Sequence, residues 1–149
     1  MDGFELSIVI NRRIEDVFAF LSNLENDPKW RREWVDAMKT SEGLMSVGAR
    51  FSLFNEMFGK RNEVVYEVST YEPNHIVSWK TISGPLPLTF QRVFEQVESG
   101  TQVHFRYEAD RDRMPLIFKL LKPLIVASGK QALQGDVPKL KELMKARDS

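Results

Sequence analysis

The sequence predicts an α+β fold: a curved antiparallel sheet of about six to seven strands covered by one long C-terminal helix. Three observations lead there. Across residues 34–110 nearly every segment alternates apolar and polar side chains with a period of two, and short turns separate the segments. Beyond Asp110 the apolar period becomes helical. A sheet with one apolar face must bury it, and the C-terminal segment is the only cover long enough to do so.

The elements follow in order. Phe4, Leu6, Ile8 and Ile10 alternate with polar neighbours, which predicts an opening strand with these four facing inward. Ile14, Val17, Phe18 and Leu21 then recur at helical spacing, with Asn11 as the candidate N-cap. Residues 23–32 are short, polar and broken by Asp27-Pro28, so a second brief helix or turn is expected there. Strands are predicted over 34–40, 50–58, 61–71 and 76–81, with Gly59-Lys60 as a tight hairpin turn. Glu72-Pro-Asn-His75 and Ser83-Gly-Pro-Leu-Pro87 make the later turns. Two more strands flank Ser99-Gly100, giving an antiparallel meander.

In the C-terminal segment Met114, Ile117, Phe118, Leu121, Leu124 and Ile125 form an apolar stripe opposite Lys119 and Lys122. Pro123 is expected to kink the helix, Gly129 and Gly135 to weaken it, and residues 137–144 to resume it. Thirty-odd helical residues would reach roughly 50 Å.

Composition bounds the function. A chain of 149 residues fits one domain spanning 1–149, and 42% hydrophobic content suits a packed core. Twenty-one basic and twenty-one acidic side chains cancel, so no overall field favours nucleic acid. The absence of cysteine excludes disulfides, a thiol nucleophile and thiolate metal sites. The N-terminus lacks the blocks of a signal peptide, and residues 114–126 are too short and too charged to span a bilayer. A soluble cytoplasmic protein is the expectation.

The most informative stretch is residues 88–110. Its alternation puts Leu88, Phe90, Phe94, Val103, Phe105 and Tyr107 on one face, and Arg92 among them. A guanidinium in an apolar interior needs a partner. It is either an anchor for a ligand carboxylate, enolate or phenolate, or half of an ion pair with a protein carboxylate, or a side chain turned outward by a bulge. The aromatic set Trp30, Tyr66, Trp79, Phe90, Phe94, Phe105, Tyr107 and Phe118 supplies either plain core or the walls of a cavity, with the two tyrosine hydroxyls as polar handles. Asp27-Pro-Lys-Trp30 reads as packing under a helix end in preference to a lid.

His75 falls in a turn and His104 on the outer face, so neither is placed for general base catalysis and no metal site is expected. Glu56, Glu63 and Glu67 would face inward only after a register slip. No glycine-rich phosphate loop appears, and no cofactor is called for.

The order of elements resembles the helix-grip fold of the START-like, Bet v 1-like superfamily, and most of all its polyketide cyclase/dehydrase and lipid-transport branch. The resemblance runs over residues 4–144. It is carried by Ile10-Asn-Arg-Arg-Ile-Glu-Asp-Val-Phe18, Asn26-Asp-Pro-Lys-Trp30, Val47-Gly-Ala-Arg-Phe51, Tyr71-Glu-Pro73 and Gly100-Thr-Gln-Val103 in that order. It implies a cavity between sheet and C-terminal helix that holds a small hydrophobic or amphipathic molecule: a lipid, sterol, quinone or aromatic polyketide. The superfamily shares no catalytic motif, so no catalytic residue is carried over.

The expected function is therefore binding, or transport, of such a ligand, with Arg92, Tyr66 and Tyr107 orienting its polar end and Trp79, Phe90, Phe94, Phe105, Phe118 and Trp30 as walls. A cyclase or dehydratase and a protein-interaction domain like the chaperone-activator relatives are the alternatives. A homodimer is left open.

Overall fold

Period-two alternation becomes seven strands in the computed structural model, which describes residues 3–146. These are β1 (Gly3–Ile10), β2 (Asp36–Lys39), β3 (Arg50–Met57), β4 (Lys60–Glu72), β5 (Ile76–Ser83), β6 (Leu88–Val97) and β7 (Gly100–Ala109). They form one antiparallel sheet in the order β1-β7-β6-β5-β4-β3-β2. The chain enters β1 on one edge, crosses to the opposite edge through α1 (Ile14–Leu21) and a 3-10 helix (Leu24–Lys29), then meanders back. α2 (Leu116–Leu120) and α3 (Lys122–Ala146) close the molecule. This is the helix-grip arrangement.

The β4–β5 register shifts between Val65 and Tyr66 and again between Val68 and Thr70. Such bulges bend a strand and strengthen its twist, which helps curve the sheet around α3. Several local expectations shift by a residue or two. The β3–β4 turn is Phe58-Gly59 rather than Gly59-Lys60, because Met57 pairs with Lys60 and both loop residues take positive φ, 54° and 74°. Arg13, not Asn11, caps α1, and it does so without a side-chain hydrogen bond. A tight turn from the Arg12 amide to the Ile10 carbonyl, 2.8 Å, holds Asn11 outside the helix. The strand expected over 34–40 shortens to four residues, since the Trp34 amide still closes a turn onto Arg31.

The C-terminal segment departs more from expectation. Pro123 does not kink a continuous helix. The helix breaks before it, and α3 restarts with Pro123 in its first turn, where the missing N–H has no partner to lose. Gly129 and Gly135 lie inside an unbroken α3 of 25 residues, about 37 Å long. At Gly129 a β-carbon would come within 3.1 Å of the Phe4 ring, so glycine permits the helix to approach β1 there. The helix is anchored by its second half, where Leu133, Val137, Leu140 and Met144 are buried at helical spacing. Of the expected stripe only Met114 is buried; Ile117, Leu121 and Leu124 are exposed. The first half of α3 spans a space above the sheet instead of filling it.

Candidate functional site

Arg92 on β6 does face inward, and it is 1% exposed. Its two terminal nitrogens donate to the two Asp27 carboxylate oxygens at 3.0 and 2.8 Å, and one also donates to the Leu21 carbonyl at 2.9 Å. The rings of Trp30, Trp79, Phe90 and Phe105 surround the guanidinium at 5.4 to 6.0 Å. Burial works against its charge, but the Asp27 carboxylate outweighs burial and raises its pKa. This bidentate pair ties the segment after α1 to the middle of the sheet. Arg92 does not line the cavity, and its two terminal nitrogens are committed to protein oxygens, while Nε has no hydrogen-bond partner among the described residues.

The cavity lies further along the sheet, beneath the first half of α3, with a volume of about 250 Å³. Phe4, Trp34, Val64, Leu88, Ile125 and Val126 contribute apolar wall. Pro85 and Glu108 line it while remaining exposed, so it reaches solvent on their side. The pocket is kept open in part because two of the residues α3 presents there, Gly129 and Ala132, are small; larger ones would occupy it.

One group of lining residues is polar and mutually connected. Arg31, buried in the loop between the 3-10 helix and β2, donates to the Tyr107 hydroxyl at 3.1 Å and to Glu33 at 3.0 Å. Its Nε lies 3.1 Å from buried Asp136 of α3, as an ion pair and not an aligned hydrogen bond. Arg32 holds the other Asp136 oxygen at 3.0 Å. Burial opposes the Arg31 charge, yet Tyr107, Glu33, Asp27 and Asp136 together hold its pKa above the ordinary arginine value.

Glu33 keeps 51% of its side-chain surface accessible, and it lines the cavity. Protein encloses the rest, so burial pushes its pKa up, against the attraction of Arg31. Tyr66 is only 7% exposed, and its hydroxyl makes no hydrogen bond among the described residues. It reaches the cavity with a donor to spare, and burial with the nearby Glu33 charge raises its pKa well above the usual value.

Of the nine residues expected at a ligand, the structure therefore brings Tyr66 and Tyr107 to the cavity. Trp30, Trp79, Phe94 and Phe105 are core beneath α1 and around Arg92, and Phe90 stacks between Trp79 and Tyr107 without lining the pocket. Phe118 sits half-buried on α2, outside the lining. The reason is that the core aromatics pack beneath α1 and around the buried Arg92–Asp27 pair, away from the cavity. His75 is exposed, and His104 lies on the outer face against Ser7 and Glu95. Glu56 and Glu63 are exposed, and Glu67 pairs with Arg50 and Lys80. Among the described residues no cluster of acidic or histidine side chains suits a metal.

Sequence reasoning missed Arg31, Glu33 and Asp136. The signal was present in Trp30-Arg-Arg-Glu-Trp34, three charges in a row between two tryptophans, immediately after a helix end.

The geometry agrees with what this chain is similar to. A protein of Thermus thermophilus superposes with a TM-score of 0.75 at 17% identity, covering 97% of this chain and 98% of that one. A Nitrosomonas europaea protein gives 0.74 at 15% identity, covering 97% and 94%. The Zhui aromatase/cyclase of Streptomyces sp. R1128 gives 0.74 at 10% identity, covering 98% and 94%. At such identities these likenesses establish the fold alone. No curated protein matches the sequence significantly. Residues 1–145 match the family described as polyketide cyclase / dehydrase and lipid transport, and the chain belongs to that family.

Proposed function

We propose that this protein binds a small amphipathic molecule, its apolar body against the walls under α3 and its polar end at Tyr66, Tyr107 and Glu33. The observation that carries the reading is the composition of the cavity: mostly apolar, with one connected polar group beside the Tyr66 hydroxyl, which makes no hydrogen bond among the described residues. Affinity would come from apolar burial, about 25 cal/mol per Å², and orientation from the hydroxyls and carboxylate. The ligand's polar end should accept a hydrogen bond from Tyr66 and donate one to Glu33. A hydroxyl beside a carbonyl satisfies both.

A second reading, a cyclase- or dehydratase-type enzyme, gains from Glu33. A carboxyl with a raised pKa beside an apolar cavity is suited to accept a proton from carbon, while Tyr66 stabilises the developing enolate. The family name and the aromatase/cyclase likeness support this class without specifying a substrate.

Native mass spectrometry against fatty acids, sterols, quinones and aromatic polyketides tests both. The binding reading expects a one-to-one adduct with one class, weakened about tenfold by Tyr66→Phe, the loss of one buried hydrogen bond. No adduct with any class overturns it. Conversion of a bound polyketide that stops in Glu33→Gln while the adduct persists would place the protein with the enzymes.

A further inference from the structure

Two separate elements that adjoin cavity-lining residues along the chain carry exposed apolar side chains. Between cavity-lining Met114 and Lys122, α2 leaves Leu116 72%, Ile117 62% and Leu120 75% exposed, and Leu124 follows at 67%. From cavity-lining Asn55 and Val64 the β3–β4 hairpin extends to a tip where Met57 is 54% and Phe58 97% exposed. Scattered exposed leucines need no explanation, but a set gathered on the elements that frame a cavity does. Phe58 is also held at φ 54°, where a bulky residue is strained; asparagine is the favoured residue before glycine in this turn. The hairpin thus carries a local strain to present a phenyl ring to solvent.

We infer that this apolar rim docks on an anionic lipid bilayer, with α2 and the Phe58 tip entering the headgroup region and the cavity opening toward the acyl chains. Charge selects the occupant. Residues 110–124 contain Arg111, Arg113, Lys119 and Lys122 against Asp110 and Asp112, with Arg113 paired to Asp110 at 3.8 Å, which leaves a local basic excess. Lys60 adds an exposed cation beside Phe58, and Arg61 follows it, paired with Asp36. Basic side chains beside protruding apolar ones suit an interface with anionic headgroups. A second copy of the chain fits less well: a two-fold contact would set this patch against itself and bring like charges together. The net charge of zero does not argue against docking, because the relevant field is local. Docking takes its purpose from the cavity reading above: a ligand would pass between bilayer and pocket without crossing water.

Co-sedimentation of the full chain with vesicles tests it. The expected result is binding to phosphatidylcholine vesicles containing phosphatidylserine, much weaker binding to phosphatidylcholine alone, and loss in high salt. Phe58→Asn with Leu120→Ser should reduce the bound fraction at least tenfold. Phe58→Asn should at the same time raise thermal stability by relieving the turn, so loss of binding is not loss of fold. Equal binding by the variant, or no vesicle binding by the native chain, overturns the inference. So does sedimentation as a dimer that Leu120→Ser converts to monomer, since the rim would then belong to a second copy. The outcome is separable from the cavity reading: an adduct in the ligand panel with no vesicle binding removes only docking, and vesicle binding with no adduct removes only the cavity ligand.

Discussion

Arg92, fully buried, and Glu33, half exposed at the cavity, show how differently two charges behave. Arg92 is satisfied by Asp27, so removing it strands a carboxylate that is 3% exposed. Arg92→Met should cost about 3–5 kcal/mol in chemical denaturation, and adding Asp27→Leu should recover most of that by removing the orphaned charge. Glu33 is a group whose folded pKa lies above its unfolded value. The folded state then binds its proton more tightly, so its contribution is most favourable below the ordinary glutamate range and is lost as pH rises through the folded value. Glu33→Gln, which can still accept from Arg31, should therefore be more stable than the native chain at neutral pH, and the difference should vanish in acid. Thermal melts across pH check this; an equal melting temperature at every pH would show that Arg31 cancels the cost of burial.

At the scale of elements, α3 works as two unequal halves. Leu140 is fully buried, whereas Leu124 is 67% exposed. Leu140→Ala should cost about 2–5 kcal/mol, while Leu124→Ala should stay within about 0.5 kcal/mol. Comparable losses at both positions would mean that the first half of α3 is packed down in solution and the cavity closed. The Asp136 pairs with Arg31 and Arg32 add a polar fastening just where the buried stripe begins. They connect the helix that roofs the cavity to the loop that carries Glu33, so a shift of α3 would move the polar end of the site.

For the whole molecule, the sheet leaves room at one end because the small residues Gly129 and Ala132 of α3 do not fill the space beneath it. Among the described residues no helix is long and apolar enough to cross a membrane. Family membership and fold agree with each other. They do not supply its chemistry, because function resides in side chains grafted onto the fold.

The sheet, the order of elements and the inward direction of Arg92 were legible in the chain alone, since period-two alternation over strands such as 88–97 and 100–109 is a local property repeated without interruption. The sequence also carried the helix-grip resemblance, which is a matter of order and spacing. What Arg92 meets depends on the folded chain, because Asp27 lies 65 residues away and nothing local pairs them. The same holds for the cavity. Arg31, Glu33, Tyr66, Tyr107 and Asp136 come from four separate elements, and a charge in a loop reads as solvated until the fold encloses it. Periodicity likewise assigned Ile117, Leu121 and Leu124 to a buried stripe, because an apolar helix face looks the same in sequence whether a sheet, a bilayer or water lies opposite it. Which of these it faces depends on distance from the sheet, a quantity set by the fold as a whole.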